Sequence, residues 1–281
     1  MAWKVYADVD TFADDVESLL YAAEDKFSLF LGVLLQMKLG RYEDYFLAID
    51  EEEGSICAAG LMTPSHPLHL IAFQESMGME DRLAGTLMEL GMEVEGVVGE
   101  RSNAERFAEA WTQKAGVVRS VLMEQGLYKA EAVDFNFERS PGTWRIASRK
   151  DAPALEKWLM IFEMETGLAL SSEREASWEI EGYLDRKEVY VWEVAGQAVA
   201  CLKKSRPTKH GITISFVFTP GEYRDKGYAS TLVAEVTDEL LLEYDFVILY
   251  ADLKNAAANK LFERIGYVLI AHQIHLGFEN L

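Results

Sequence analysis

The feature that most restricts what this chain can fold into is that it resembles itself. The segments YFLAIDEEEGSICAAGLMTPSHPLHLIAF (Tyr45 to Phe73) and YVWEVAGQAVACLKKSRPTKHGITISF (Tyr190 to Phe216) share one plan. Each runs through an alternating strand, a tight acidic or glycine turn, a second strand carrying a cysteine, a loop with Pro and His, and a third apolar strand. Farther on, VVGERSNAERFAEAWTQKAG (Val97 to Gly116) is similar to LYADLKNAAANKLFERIG (Leu249 to Gly266): a strand, an Asn-Ala helix start and a closing glycine. The shared order points to an internal duplication, against two unrelated α/β units in series. The boundary is expected at the Pro-Gly turn of SPGTW (Ser140 to Trp144), after the strand-like KAEAVDFNFE, giving domains over 1–139 and 143–281.

The 281 residues, 49% of them apolar, are enough for two real cores. No basic-apolar leader stands at the start and the longest apolar runs, LFLGVLL and DFVILY, are too short to cross a bilayer, so a cytoplasmic protein without a membrane partner is expected. Cys57 and Cys201, the only cysteines, each lie in an apolar strand and read as buried thiols. A net charge of -20 argues against nucleic acid as a partner and suits a cationic substrate, or serves solubility alone.

The two halves diverge after their third strand. The first continues as QESMGMEDRLAGTLMELGM, whereas the second reads TPGEYRDKGYAST (Thr219 to Thr231) before the helix-periodic LVAEVTDELLLEY. A helix opens with unpartnered backbone N–H groups and partial positive charge, which favours an oxyanion. Gly227 and Ala229 let a diphosphate approach several amides, Arg224 and Lys226 bring mobile charge, and Ser230 adds a hydroxyl. Alone, Arg-x-x-Gly-x-Ala is also what an ordinary glycine-containing helix start looks like. Its setting, a strand at Ile212 to Phe218 before it and a strand at Phe246 to Tyr250 after its helix, favours the functional reading.

At this point residues 144–281 resemble a complete GNAT-type N-acetyltransferase domain. RIASRKDAPALEKWL resembles the family's opening strand and helix, FVFTPGEYRDKGYAS its acetyl-CoA pyrophosphate loop, and DLKNAAANKLFERIGY its last helix-strand signature. The first half looks like a degenerate copy, as in two-domain bacterial members. The resemblance implies an α+β protein of tandem GNAT-like folds, each a mixed, mostly antiparallel sheet flanked by helices. It also implies direct transfer of an acetyl group from acetyl-CoA to an amine-bearing small molecule or an exposed amino group, with no metal. The backbone of Val217 and Thr219 would hold the pantetheine arm, and an amide at Val217 or Phe218 would face the acetyl oxygen. The amides of Asp225, Lys226, Gly227, Tyr228, Ala229 and Ser230 would cradle the diphosphate. Asn255 and Asn259 would border the pantetheine or acetyl end, Asn255 serving equally well as a helix N-cap.

The chain departs from the family at Phe262, where a tyrosine normally protonates the departing thiolate. A phenyl ring has no proton to give, so water or Tyr250, Tyr228 or Tyr267 would stand in, or the protein binds a CoA thioester without turnover and acts as a regulator. The incoming amine, mostly ammonium near neutrality, needs a base. Glu163 and Glu165, at the end of the domain's first helix, are the candidates, with a solvated helix end as their plainer reading; Glu193, mid-strand, is weaker. KKSRPTKHG (Lys203 to Gly211) reads as an exposed basic turn or as a contact for the cofactor's ribose phosphate. His272 and His275 fall on opposite faces of a strand, and Phe27, Phe30 and Met37 follow helix spacing as core or interface. The acceptor, the acyl-chain preference and assembly with a second copy are left open by the sequence.

Overall fold

The structure is a computed structural model that describes residues 3–134, 136–167 and 170–280. The first half runs β1 (Lys4–Val5), α1 (Val9–Ala22), α2 (Glu24–Lys38), β2 (Phe46–Glu52), β3 (Ser55–Met62), β4 (Leu68–Ala72), α3 (Met79–Glu89), β5 (Gly96–Glu100), α4 (Arg101–Ala115) and β6 (Val117–Ala130). The second runs β7 (Thr143–Ile146), α5 (Ala152–Thr166), α6 (Glu173–Asp185), β8 (Val189–Val194), β9 (Gln197–Ser205), β10 (Gly211–Phe218), α7 (Tyr228–Leu240), β11 (Phe246–Asp252), α8 (Ala256–Ile265) and β12 (Val268–Asn280). The repeated segments fall on β2–β3–β4 and β8–β9–β10, and on β5–α4 and β11–α8. The strand-like KAEAVDFNFE is strand only through Ala130; turns follow, and its Phe135 lies outside the described residues.

Two compact units result. One holds the residues up to Leu127, Asp252–Lys254 and those from Ile270 on; the other holds Tyr128–Ala251 and Asn255–Leu269. In the first the strand order is β1-β2-β3-β4-β5-β12, with β4–β5 parallel and the registered neighbours β1–β2, β2–β3, β3–β4 and β5–β12 antiparallel. In the second the order is β11-β10-β9-β8-β7, with β10–β11 parallel and β7–β8, β8–β9 and β9–β10 antiparallel. Each is therefore a mixed, mostly antiparallel sheet flanked by helices. The last strand departs from the order of the chain: Gln273–Gly277 of β12 register against Gly96–Glu100 of β5 in the first unit.

The helices form where the sequence punctuates them. Ser172 and Glu175 make a reciprocal capping box at the start of α6. Gly167 and Gly266, both left-handed, close α5 and α8. On α7 the apolar Leu232, Val233, Val236 and Leu240 are all buried and join Ile212, Ile214, Val247 and Leu249 in one core. Each such side chain contributes about 1.5–3 kcal/mol of burial. On the opposite face of the sheet α5 and α6 pack Leu155, Trp158, Ile180 and Leu184 over Val191, Cys201, Phe216 and Phe218. Cys57 and Cys201 are both free and buried, and burial pushes the Cys201 thiol pKa up. Phe27, Phe30 and Met37 lie in the core that α1 and α2 form over β2 and β3 in the first unit.

Candidate active site

The site begins with an irregularity in β10. Ile212 and Ile214 point into the α7 core, and strict alternation would send Phe216 the same way. Instead Phe216 takes a left-handed backbone (φ 49), and the ladder to β9 slips by one residue between Ser215, opposite Lys203, and Phe218, opposite Cys201. This β-bulge turns Phe216 and Phe218 into the α5–α6 core and Val217 toward α7. The parallel ladder to β11 registers Gly211–Ile214 with Phe246–Leu249, stopping where the bulge begins, although the strands run on to Phe218 and Asp252. Among the described residues, the end of β10 thus stands beside β11 without ladder pairing. Phe218 stands opposite Cys201 in the ladder to β9, and its amide opposes the upward shift of the Cys201 thiol.

Beyond β10 the chain makes a short 3-10 turn, Gly221–Tyr223, and opens α7 at Gly227, which is left-handed (φ 74, ψ 9) and gives no side-chain cap. Thr231 N–H already bonds Gly227 O at 3.0 Å, so the amides of Tyr228, Ala229 and Ser230 in the turn before it have no carbonyl of the helix to bond. Thr219 Oγ1, at the start of the loop, is buried without a hydrogen-bond partner among the described residues. Uncapped amides and an unpartnered hydroxyl fit a polyoxygenated ligand such as the diphosphate and pantetheine of CoA.

The loop is braced from one side by a residue that sequence patterns did not single out. Ser140 Oγ donates to Lys226 O (2.7 Å), Ser140 N–H donates to Thr231 Oγ1 (2.9 Å), and Thr231 Oγ1 donates to Gly227 O (2.9 Å). A Cβ on Gly227 would lie 2.6 Å from Ser140 Oγ. Glycine is thus required by the left-handed turn and by Ser140, in addition to any ligand. Asp225 is also left-handed (φ 61), and it and Lys226 are exposed. Lys226 Nζ donates to Glu222 O at 3.2 Å.

Arg224 is folded back onto the end of β10. Its Nε donates to Thr219 O (2.9 Å), and its Nη2 donates to both oxygens of Glu165 (2.8 and 2.7 Å). The structure therefore brings a predicted phosphate ligand and a predicted base together. Both side chains are a little over 40% exposed (44% and 42%), so the pair is worth only ~0.2–1 kcal/mol and Arg224 is easily drawn away by a diphosphate. Glu163 is different: it is buried, and its oxygens accept from Ser171 N–H (2.9 Å) and Ser171 Oγ (2.8 Å), pinning the approach to α6. Glu193 is held by Arg145 Nε at 2.5 Å.

Asn255 caps α8, its Oδ1 accepting from Ala258 N–H at 3.1 Å, while Asn259 lies one turn along the same helix. Phe262 is buried between Tyr128 and Tyr267, each with its ring centre 6.1 Å away. Of the replacement phenols, Tyr267 is buried with its hydroxyl tied to Thr237 Oγ1 (2.6 Å), and burial pushes its pKa up, which makes it the poorer proton donor. Tyr228 and Tyr250 are half-buried. The KKSRPTKHG segment exposes Pro207 and Lys209, at the end of β10 away from the α7 loop, but turns Lys203 and Arg206 inward.

The first unit shows the contrast. Its α3 also opens at a left-handed glycine without a side-chain cap, Gly78. Its first turn, however, carries Glu80, buried and paired with Arg106 (2.7 Å), and Arg82 Nη2 is consumed by Asp50 (2.7 Å) and Glu52 (3.1 Å). Glu80 thus already occupies the positive end of this helix, and Arg82 is held by carboxylates where the second unit offers exposed cations.

Residues 198–276 match the FR47-like protein family, which covers β10, the α7 loop and α8 but not Ser140, Glu163 or Glu165, and under a third of the chain. No curated protein matches the chain by sequence. Among solved structures, the chain is similar to an acetyltransferase of the GNAT family from Colwellia psychrerythraea (16% identity, 99% of each chain covered, TM-score 0.60). It is similar to a GCN5-related N-acetyltransferase from Sphaerobacter thermophilus (14% identity, 99% of this chain and 97% of that one, TM-score 0.64). A tandem GNAT protein from the clavulanic acid biosynthesis pathway matches over 98% of this chain and 96% of its own (11% identity, TM-score 0.56). The fold is the tandem GNAT fold.

Proposed function

We propose that the second unit transfers an acetyl group from acetyl-CoA to a primary amine, on a small molecule or an exposed amino group, directly in a ternary complex. The observation that carries this reading is the bulged end of β10, standing free of β11 and running into the uncapped start of α7. Acetyl-CoA supplies the activated acyl group as a thioester. Val217 N–H takes up charge developing on the carbonyl oxygen, Val217 and Thr219 hold the pantetheine, and the Tyr228, Ala229 and Ser230 amides with Arg224 and Lys226 hold the diphosphate. Four or five charge-assisted bonds at ~1.5–3 kcal/mol each supply the ~8 kcal/mol of micromolar binding.

The amine loses its proton to Glu165, directly or through water. Glu165 is the carboxylate able to change partners, because Glu163 is committed to Ser171. Phe262 favours one other reading, a CoA-thioester-binding regulator without turnover, since the ring offers no acid for the leaving thiolate. The two are separated by incubating the protein with acetyl-CoA and an amine library. Amine-dependent release of free thiol supports transfer. Calorimetric binding of acetyl-CoA with no thiol released across the library supports the regulator, and absence of binding removes both.

A further inference from the structure

A second polar constellation lies on the α5–α6 side of the same sheet. Lys203 and Ser205 of β9 stand directly across from Ser215 and Thr213 of β10. Because Leu202, Ile212 and Ile214 point into the α7 core, these four side chains point the other way. Ser205 Oγ and Ser215 Oγ are 3.2 Å apart, and Lys203 Nζ sits 3.6 Å from the ring centre of Tyr183 on α6. Just past β9, Arg206 adopts a left-handed backbone (φ 46) and turns its side chain inward. Its Nε is buried with no hydrogen-bond partner, and so is Thr213 Oγ1, among the described residues. Arg206 follows Ser205, which stands across from Thr213, and its charge acts on Lys203, so the two cations and the two orphaned donors share this stretch of the sheet.

The nearby carboxylates are engaged elsewhere. Glu179 accepts from Tyr183 Oη (2.5 Å), and Glu188, which also faces Lys203, accepts from Arg186 Nε and Nη2 (2.8 and 3.1 Å). Arg206 as a whole is half-buried, but its enclosed Nε is a charged donor left unsatisfied unless an acceptor arrives. In a chain of net charge -20, two inward-facing cations without a committed carboxylate among the described residues are a specific arrangement.

We propose that Arg206, Lys203 and Thr213 seat an anionic group of the acceptor, so that the amine acetylated also carries a carboxylate. This rests on the transfer reading above. Lys203 stands opposite Ser215, three residues before Phe218, and Thr213 lies five residues before it, so at about 3.3 Å per residue the seat extends from about 10 to about 16 Å from the thioester end of the site. That spacing suits an ω-amino acid better than an α-amino acid.

The test compares kcat/KM for a series from glycine to 6-aminohexanoate with that for hexylamine, in the full chain. The seat predicts that a longer ω-amino acid exceeds hexylamine at least tenfold, and that Arg206→Gln and Lys203→Met each collapse this ratio toward one, with circular dichroism confirming their fold. A wild-type ratio near one, with hexylamine acetylated, overturns the anion seat and leaves acetyl transfer standing. If no amine turns over, calorimetry of the same amino acids on CoA-loaded protein decides. Binding weakened at least tenfold in both variants upholds the seat without the transfer, and absence of binding in the wild type overturns it.

Discussion

Replacing Gly227 by alanine tests how the α7 loop is held. Gly227 sits at φ 74, where a residue with a Cβ pays ~1–2 kcal/mol. The new methyl would stand 2.6 Å from Ser140 Oγ, so that hydroxyl must swing away and give up its 2.7 Å bond to Lys226 O. A hydrogen bond of this kind contributes ~0.5–1.5 kcal/mol, so Gly227→Ala is expected to cost about 2–3 kcal/mol in denaturant unfolding. It also weakens CoA binding at least tenfold, because the amides that follow are re-aimed. The steric part is separable: Ser140 Cβ is 3.9 Å from the built Cβ, an ordinary contact, so in a Ser140→Ala background the same substitution costs about 1 kcal/mol less. An equal cost in both backgrounds, or a cost under ~0.5 kcal/mol, refutes the proposed bracing by Ser140.

Further consequences can be measured singly. Glu165→Gln lowers kcat ~10²-fold with CoA affinity nearly unchanged if Glu165 is the base, whereas Arg224→Ala weakens CoA ~10- to 100-fold; calorimetry and initial rates distinguish them. Glu163→Ala destabilises by ~1.5–3 kcal/mol, because Ser171 N–H and Oγ lose the buried carboxylate that accepts from both, and thermal unfolding reads this. Phe262→Tyr speeds thiol release about tenfold or more if the missing acid limits the rate, and an unchanged rate assigns the proton to water or another phenol. Burial pushes the Lys203 pKa down to about 8 from its usual 10.5, against Glu188 and helped by Arg206. Below pH 8 the folded state bears the whole cost of that buried ammonium; as pH rises from 8 to 10.5 the folded state gives up the proton first and stability increases. Lys203→Met should remove this rise, ~3 kcal/mol at most, from a pH series of unfolding midpoints.

Much of the fold was legible because it is written in local patterns. The strands after Tyr45 and Tyr190, the glycine-closed α8 and the apolar stripe of α7 each follow from spacing within a dozen residues. The partner of β12 was not, since an alternating strand states which face is buried and says nothing about which edge it joins; Gln273–Gly277 pair with β5 although the chain enters β12 from α8. At the site, the loop and its helix were readable from Arg224 to Ser230, but the β-bulge at Phe216 was not, because ITISFVF is as good a regular strand as a bulged one. Ser140 acts on a loop more than eighty residues away, and Lys203 and Arg206 lie in a segment whose composition is that of an exposed turn. Their inward course depends on one left-handed residue and on tertiary burial.

The claim on which the enzymatic reading depends is that the backbone opening α7 binds the diphosphate of CoA. A crystal structure of the protein with CoA measures this directly. The account predicts diphosphate oxygens within about 3 Å of the Tyr228, Ala229 and Ser230 amides, with Arg224 released from Glu165. A diphosphate bound elsewhere, with these amides still facing solvent and the Arg224–Glu165 pair intact, would contradict it.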